Sequence, residues 1–266
     1  MSQSKQRLDV LLVNKGIIDS REKAKAEIMC GNVLVNTQII DKPGTRVDVD
    51  SIITIKQPLP YVSRGGVKLE KALTLFDIEV KDKIVLDAGA STGGFTDCML
   101  KNGAKKVYAV DVGYGQLAYK LRKDTRVVVL ERKNVRYLSL ADIDEKPDII
   151  TADLSFISLS KVFKPFFQLL KEHGDLITLI KPQFEVGREE VGKRGVVKDF
   201  KLHMKAIDKI IIDAKEHHFH VCDLTYSPIK GPKGNIEYLA HFRKHLKNNN
   251  FINVEDVVKK SHLELL

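Results

Sequence analysis

Leu86-Asp-Ala-Gly-Ala-Ser-Thr-Gly-Gly-Phe95 continues an apolar, strand-like run that begins at Ile84, and it opens a helical pattern running from Thr96 to Lys101. Glycines at 89, 93 and 94 let the backbone turn sharply and approach a ligand with no Cβ in the way. Further on, Val107-Tyr-Ala-Val-Asp111 ends the next strand with a carboxylate, the place where an acid accepts hydrogen bonds from the two hydroxyls of an adenosine ribose. The spacing is D-x-G-x-x-x-G-G, not the G-x-G-x-x-G of pyrophosphate binders. Asp87 at the strand end would repel a pyrophosphate and tolerate a sulfonium-bearing amino acid. The loop therefore favours S-adenosylmethionine (SAM) over NAD. Its candidate contacts are Asp87, Gly89, Ala90, Ser91, Gly93, Gly94, Phe95 and Asp111. Asn134, in Glu131-Arg-Lys-Asn-Val-Arg136, follows the third strand and reads either as an adenine contact or as a turn residue.

Working outward, apolar runs alternate with amphipathic helices, as in a doubly wound α/β sheet. Ile84–Leu86, Lys106–Val110, Val127–Leu130, Asp148–Thr151 and Leu176–Ile180 are the expected parallel strands. Helices are expected over Val67–Phe76, Thr96–Lys101, Gln116–Lys123, Leu159–Leu170 and from Lys198 to about His217. Phe219–Tyr226 and Ile236–Arg243 flank a Pro/Gly turn and read as a terminal hairpin. A parallel, seven-stranded sheet closed by an antiparallel hairpin resembles the class I SAM-dependent methyltransferases, a Rossmann-like fold.

A different pattern precedes residue 60. Lys56-Gln-Pro-Leu-Pro60 blocks helix and fits an extended linker. The expected organisation is a small α+β domain over 1–57, a linker over 58–62, the α/β domain over 63–246 and a tail over 247–266. In the first domain Leu8, Leu11 and Leu12 fall at helical spacing before Gly16, and Asp19-Ser20 can cap a helix over Arg21–Cys30. Val33-Leu-Val35, Val47, Val49 and Ile52–Ile55 supply strands around the turn Lys42-Pro-Gly44. Arg7, Leu8, Asp9, Ser20, Arg21, Ala24, Ile28, Gly31, Val33, Val35 and Asn36 stand in the order of the S4 RNA-binding domain, which this segment resembles. The resemblance implies that Arg7, Arg21, Lys23 and Lys25 meet structured RNA.

Ala152-Asp153-Leu-Ser-Phe156 falls at the fourth strand end and Ile180-Lys181-Pro182 at the fifth, beside the switch in strand order where such sheets bind ligands. Lys68 starts the helix after Ser63-Arg-Gly-Gly66, and Glu237 lies in the closing hairpin. Lys68, Asp153, Lys181 and Glu237 resemble, in order, the K-D-K-E tetrad of FtsJ-type ribose 2′-O-methyltransferases. A ribose hydroxyl is a poor nucleophile, so it must be oriented for attack and lose a proton as the bond forms. A lysine beside a second cation in a cleft gives up its own proton more readily and can take that one. Lys181 fits this part, with Asp153 positioning it, and Lys68 and Glu237 orienting the partners and balancing charge. With the S4-like segment, Asp87–Asp97, Thr151–Ser158 and Lys181–Gly187, the chain is identified as a member of the TlyA (haemolysin A) family. Membership implies a SAM-dependent methyltransferase acting on cytidine 2′-hydroxyls of ribosomal RNA or ribosomal subunits. Asp153-Leu-Ser-Phe156 also looks like the D/N-P-P-Y/F box of enzymes that methylate exocyclic amines. The missing prolines and the two lysines weigh against that reading.

Composition sets outer bounds. Against 35 Asp+Glu stand 44 Lys+Arg, a formal charge of +9, and 30% charged with 43% hydrophobic residues is globular usage. No apolar run approaches a membrane span, and the first residues lack a secretory signal. Cys30, Cys98 and Cys222 fit neither a disulfide framework nor a metal site, so a reducing, cytoplasmic location is expected, with no membrane, no metal and no inferable protein partner. His217-His-Phe-His220 alternates faces on a strand and reads as solvated. The basic excess calls for a polyanion. Residues 1–60 carry 9 basic and 7 acidic side chains, whereas 101–136 carry 10 and 3. The excess thus sits in the α/β domain. Phe184–Lys198 is expected to be a structureless lid whose Arg188, Lys193 and Arg194 meet RNA phosphate, together with Arg64. A non-catalytic RNA binder would lack the tetrad, and a cytolysin would need an apolar helix able to insert.

Overall fold

The computed structural model describes residues 4–29, 31–55, 60–245 and 252–265. Cys30 and part of the linker expected over 58–62 lie outside the described residues. The chain divides into two compact units, Met1–Leu59 and Pro60–Leu266.

In the first unit β1 (Lys5–Arg7) leads into α1 (Leu8–Asn14) and α2 (Arg21–Met29). Leu8, Leu11 and Leu12 form one buried face of α1 and share a core with Ala24 and Ile28 of α2. Gly16, at φ +66°, ends the first helix in the left-handed region, and Ser20 Oγ accepts the Lys23 N–H at 3.3 Å to cap the second. Short strands follow: β2 (Val33–Val35), β3 (Gln38–Ile39), β4 (Arg46–Asp48) and β5 (Ile53–Ile55). β4 pairs antiparallel with β1, while β2 lies between β3 and β5.

The second unit runs α3 (Gly65–Leu75), β6 (Ile84–Ala88), α4 (Gly94–Lys101), β7 (Lys106–Asp111), α5 (Tyr119–Arg122), β8 (Val127–Glu131) and β9 (Ile149–Ala152). It continues with α6 (Phe163–Leu169), β10 (Asp175–Ile180), α7 (Pro182–Glu185), α8 (Phe200–Glu216), β11 (His220–Tyr226), β12 (Tyr238–Arg243) and α9 (Val254–Leu265). Its seven-stranded sheet has the order β11-β12-β10-β9-β6-β7-β8, parallel except that β12 runs antiparallel to both its neighbours. Each face of the sheet carries its own core. Leu86, Ile150 and Leu176 pack with Phe163, Phe166 and Ile210, while the alternate residues Val85, Ile149 and Ile177 pack with Leu69, Cys98 and Met99. Strands covered on both faces need continuous apolar runs, which is why β6 and β10 show no hydrophobic–polar alternation. Among the described residues no helix is long and apolar enough to cross a membrane.

Three expected boundaries move. The helix expected over 116–123 shrinks to α5, because the Ala118 N–H is taken by Thr92 O at 3.1 Å and holds residue 118 extended. The helix expected over 159–170 splits into a 3₁₀ turn, Leu159–Lys161, and α6, whose first turn holds Pro165 and its missing N–H. The stretch 184–198 is not wholly irregular: Pro182 starts α7, and Arg188–Glu190 is a 3₁₀ turn.

Candidate active site

The chain reverses its build order between β6 and β9, and the crevice at their C-terminal ends holds the site. Gly89 stands there at φ +84°, and a Cβ on it would lie 2.6 Å from the Asp153 carbonyl oxygen. The glycine loop and the Asp153 turn therefore touch directly. Behind the loop, a Cβ on Gly94 would meet Ser63 Oγ at 2.2 Å and Gly66 N at 2.9 Å. The N-terminus of α4 meets the start of α3 there with only the Ser63 hydroxyl against Gly94, and Lys68, in the first turn of α3, reaches Glu237 just before β12.

A cavity of about 500 Å³ opens beside the loop, lined among others by Gly89, Ser91, Asp111, Gln116, Asn134 and Asp153. Asp111 braces its floor: Oδ2 accepts the Ser91 N–H at 2.8 Å and Oδ1 the Gly113 N–H at 2.7 Å. Asn134 does the work of a turn residue, its Oδ1 accepting the Arg136 N–H at 3.1 Å, and it lines the cavity as well. The remaining expected contacts sit behind the wall. Ala90, Gly93, Gly94 and Phe95 are buried under the loop, shaping it without reaching the cavity. Asp87 also turns inward. Its carboxylate is fully buried and accepts Thr96 Oγ1 at 2.6 Å and Thr151 Oγ1 at 3.1 Å. Burial pushes this acid up to about 6, against the opposing pull of the two threonine hydroxyls. It faces the core, so the charge argument that set it against pyrophosphate does not operate at the ligand.

The tetrad assembles as two ion pairs. Lys181 Nζ stands 2.5 Å from Asp153 Oδ1 and donates to Ser155 Oγ at 3.0 Å. Lys68 Nζ donates to Glu237 Oε2 at 2.6 Å, both side chains being almost wholly buried. A second cavity, about 340 Å³, is lined by Lys181, Glu237, Ser155, Phe156, Phe184 and Asn235 among others. Ser155 and Phe156 belong to both cavities, so the two meet at the Asp153–Phe156 turn, with a tetrad carboxylate on one side and the lysine on the other. Phe156 has φ +64° and is 90% exposed, its ring 5.3 Å from that of Phe184. A bulky residue held in the left-handed region with its ring in solvent is strained and unprotected at once, which marks a contact surface.

Ser155 and Asn235 escaped the sequence reading. Asn235 is buried, accepts the Val197 N–H at 3.0 Å and donates to Gly195 O at 2.9 Å, fixing the 192–198 segment beside Glu237. Its only signal was its place two residues before Glu237. Arg64, Arg188, Lys193 and Arg194 are exposed. In the first unit Arg7 and Arg21 are tied to Asp9, at 3.0 and 2.9 Å, while Lys23 pairs with Asp19 at 3.2 Å and Lys25 is half-buried. The Asp9 carboxyl is held down to about 2, chiefly by the Arg7 hydrogen bonds. His217–His220 joins no metal-binding group among the described residues.

Comparison with known proteins agrees with this geometry. The FtsJ-like methyltransferase family profile matches residues 61–244, and the S4 domain profile matches residues 6–53. A candidate rRNA methyltransferase of Bacillus subtilis, YqxC, is 53% identical over 243 residues, spanning 91% of this chain and 86% of that protein. The 16S/23S rRNA (cytidine-2′-O)-methyltransferase TlyA of Mycobacterium tuberculosis is 43% identical over 239 residues, 89% of each chain. The solved structure of a candidate hemolysin from Streptococcus thermophilus superposes with a TM-score of 0.77 at 43% identity, covering 99% of this chain and 98% of that one.

Proposed function

We propose, from the premise that this chain belongs to the FtsJ-like methyltransferases and to their S4-bearing TlyA family, that it methylates a ribose 2′-hydroxyl of ribosomal RNA, at cytidine, in the cytoplasm. The observation that carries this reading is the meeting of two cavities at Asp153–Phe156, with Lys181 paired to Asp153 at 2.5 Å across the junction. Gly89, Ser91, Asp111 and Asn134 would hold SAM in the larger cavity, and SAM supplies an electrophilic methyl group there. Gly89, whose Cβ would collide with the Asp153 carbonyl oxygen, lets the loop pack against the turn that lines both cavities.

The smaller cavity receives the target nucleotide. Phe156 offers its exposed ring to the base, and Phe184 backs it. The 2′-hydroxyl is presented to Lys181, whose neutral amine, its own proton already lost to solvent, would accept the hydroxyl proton and become the ammonium that Asp153 and Ser155 hold in place. The buried Lys68–Glu237 pair holds the far wall rigid, so the hydroxyl meets the methyl carbon in line. A lysine at the junction, Lys181, suits a hydroxyl that must lose a proton; an exocyclic amine needs paired carbonyl acceptors instead.

The test is transfer of labelled methyl from SAM to isolated ribosomal subunits, with the product nucleoside identified. A 2′-O-methylated cytidine is expected, and a base-methylated product overturns the assignment. Lys181→Ala is expected to slow transfer by about 10²–10⁴-fold with SAM affinity kept, since Lys181 does not line the larger cavity.

A further inference from the structure

The basic excess of residues 101–136 is mostly neutralised in the fold. Lys106 pairs with Asp144 at 2.6 Å, Lys120 with Asp97 at 3.1 Å, Arg126 with Asp124 at 2.7 Å, Lys133 with Asp142 at 2.6 Å, and Arg122 with Glu131. Arg132 and Arg136 are different. Among the described residues neither has a carboxylate at ion-pair distance, although the charge of Arg132 is felt by Glu131, and each guanidinium lies over an exposed tyrosine. Arg132 Cζ is 4.3 Å from the Tyr114 ring centre, and Arg136 Cζ is 5.3 Å from that of Tyr137. The two rings are 69% and 76% exposed, and Val112 between the loop and the cavity is 68% exposed.

Local structure holds these pairs in place. Arg132 has φ +55°, an unfavourable conformation for a side-chain-bearing residue, and its N–H is bound by Gly113 O at 3.1 Å. That bond draws Arg132 over the loop that carries Tyr114. Asn134 Oδ1 accepts both the N–H and the Nε–H of Arg136, at 3.1 and 3.3 Å, and so aims the second guanidinium. Val112, Lys133 and Arg136 line the cavity assigned above to SAM. The Tyr137–Arg136 pair therefore stands on its lip, and Tyr114–Arg132 adjoins it along the chain through Val112 and Lys133.

Resting on the RNA reading above, we infer that Tyr114–Arg132 and Tyr137–Arg136 form a second RNA contact that takes unpaired nucleotides of the substrate. Aromatic rings at this exposure supply π-faces for unstacked bases, and an arginine outside any ion pair found among the described residues supplies charge for the adjoining phosphates. Duplex RNA offers no open base face to such rings, whereas a loop or a strand leading away from the target nucleotide does. An acidic protein surface would satisfy the arginines and leave the tyrosines unused.

The test compares Tyr114→Ala/Tyr137→Ala, Tyr114→Phe/Tyr137→Phe and Arg132→Gln with the unaltered full chain. Binding is read by fluorescence anisotropy on a labelled single-stranded oligoribonucleotide and on a blunt duplex of the same composition. The alanine pair is expected to weaken single-strand binding roughly tenfold or more and to leave duplex binding unchanged, while the phenylalanine pair behaves as the parent. Arg132→Gln is expected to lower the slope of log affinity against log salt by about 1. Equal losses on both RNAs, or none on either, overturn the inference. So does a loss seen on ribosomal subunits alone, which would point to a protein contact. If the unaltered chain transfers no methyl to ribosomal RNA, the proposed function falls. If it transfers methyl and the alanine pair binds single strands normally, only the lip contact falls.

Discussion

Two buried aspartates show how much a residue's surroundings outweigh its type. Asp87 and Asp9 are both fully buried, yet one is pushed up to about 6 and the other held down to about 2. Asp87 has neutral donors, the hydroxyls of Thr96 and Thr151 and the Thr96 backbone, whereas Asp9 has two guanidiniums. For Asp87 the folded state binds its proton more tightly than the unfolded chain, whose value is near 3.8. Its contribution to stability is therefore complete below pH 3.8 and is lost as pH rises through about 6. Asp87→Asn is expected to flatten the stability–pH profile of the second unit between those limits, measured by denaturant unfolding at a series of pH values. A profile unchanged by the substitution would remove Asp87 as its source. The sequence places this acid at a strand end, where ligand contact is the natural expectation. Which face of β6 it points to is decided by Thr96 and Thr151, nine and 64 residues away.

At the scale of elements, the contact that matters is the crossing of α3 and α4. Helix packing normally places side chains between axes 8–10 Å apart, but glycine at the contact lets backbones approach closely. Gly94 and the Ser63–Gly66 segment use this, and Lys68 arrives beside Glu237 as a result. Gly94→Ala is expected to destabilise the second unit by about 1–3 kcal/mol, read as a lower denaturation midpoint, and to weaken SAM binding measured by calorimetry. Adding Ser63→Gly removes the nearest clash, at 2.2 Å, and leaves the 2.9 Å approach to Gly66 N, so recovery should be partial. Full recovery would show that the backbone approach is slack. The sequence reads the glycines as a ligand loop, although only Gly89 of the three lines the cavity. Their second use, as a helix crossing, was not legible there, because nothing local links residue 94 to residue 63.

In the whole molecule acid acts on both units: on Asp9 in the first, and in the second on Asp144, Asp142 and Glu131, which Lys106, Lys133 and Arg122 hold below the usual carboxylate range. Asp9 contributes stability above about pH 3.8 and loses it as pH falls through about 2, the reverse of Asp87. Acid titration followed by amide exchange is expected to show that Asp9→Asn moves the acid transition of the first unit and leaves that of the second untouched. An unmoved first-unit transition would refute this.

Fold class, the parallel strands and the glycine loop were readable along the chain. Each is fixed by local periodicity or by a short motif, and order along a βαβ chain dictates which strand ends share a crevice, while the four proposed tetrad residues came from a family resemblance. The pairing of Lys181 with Asp153 and of Lys68 with Glu237 was not readable, nor were Ser155, Asn235 and the inward turn of Asp87. The same holds for charge. Composition gives a basic excess between residues 101 and 136, but only the fold shows which cations find carboxylates and which two arginines are left over tyrosines. The reason is one of range. Backbone preference and hydrophobic period act over a few residues, whereas hydrogen bonds and ion pairs depend on distances of about 3 Å between side chains that only tertiary packing brings together.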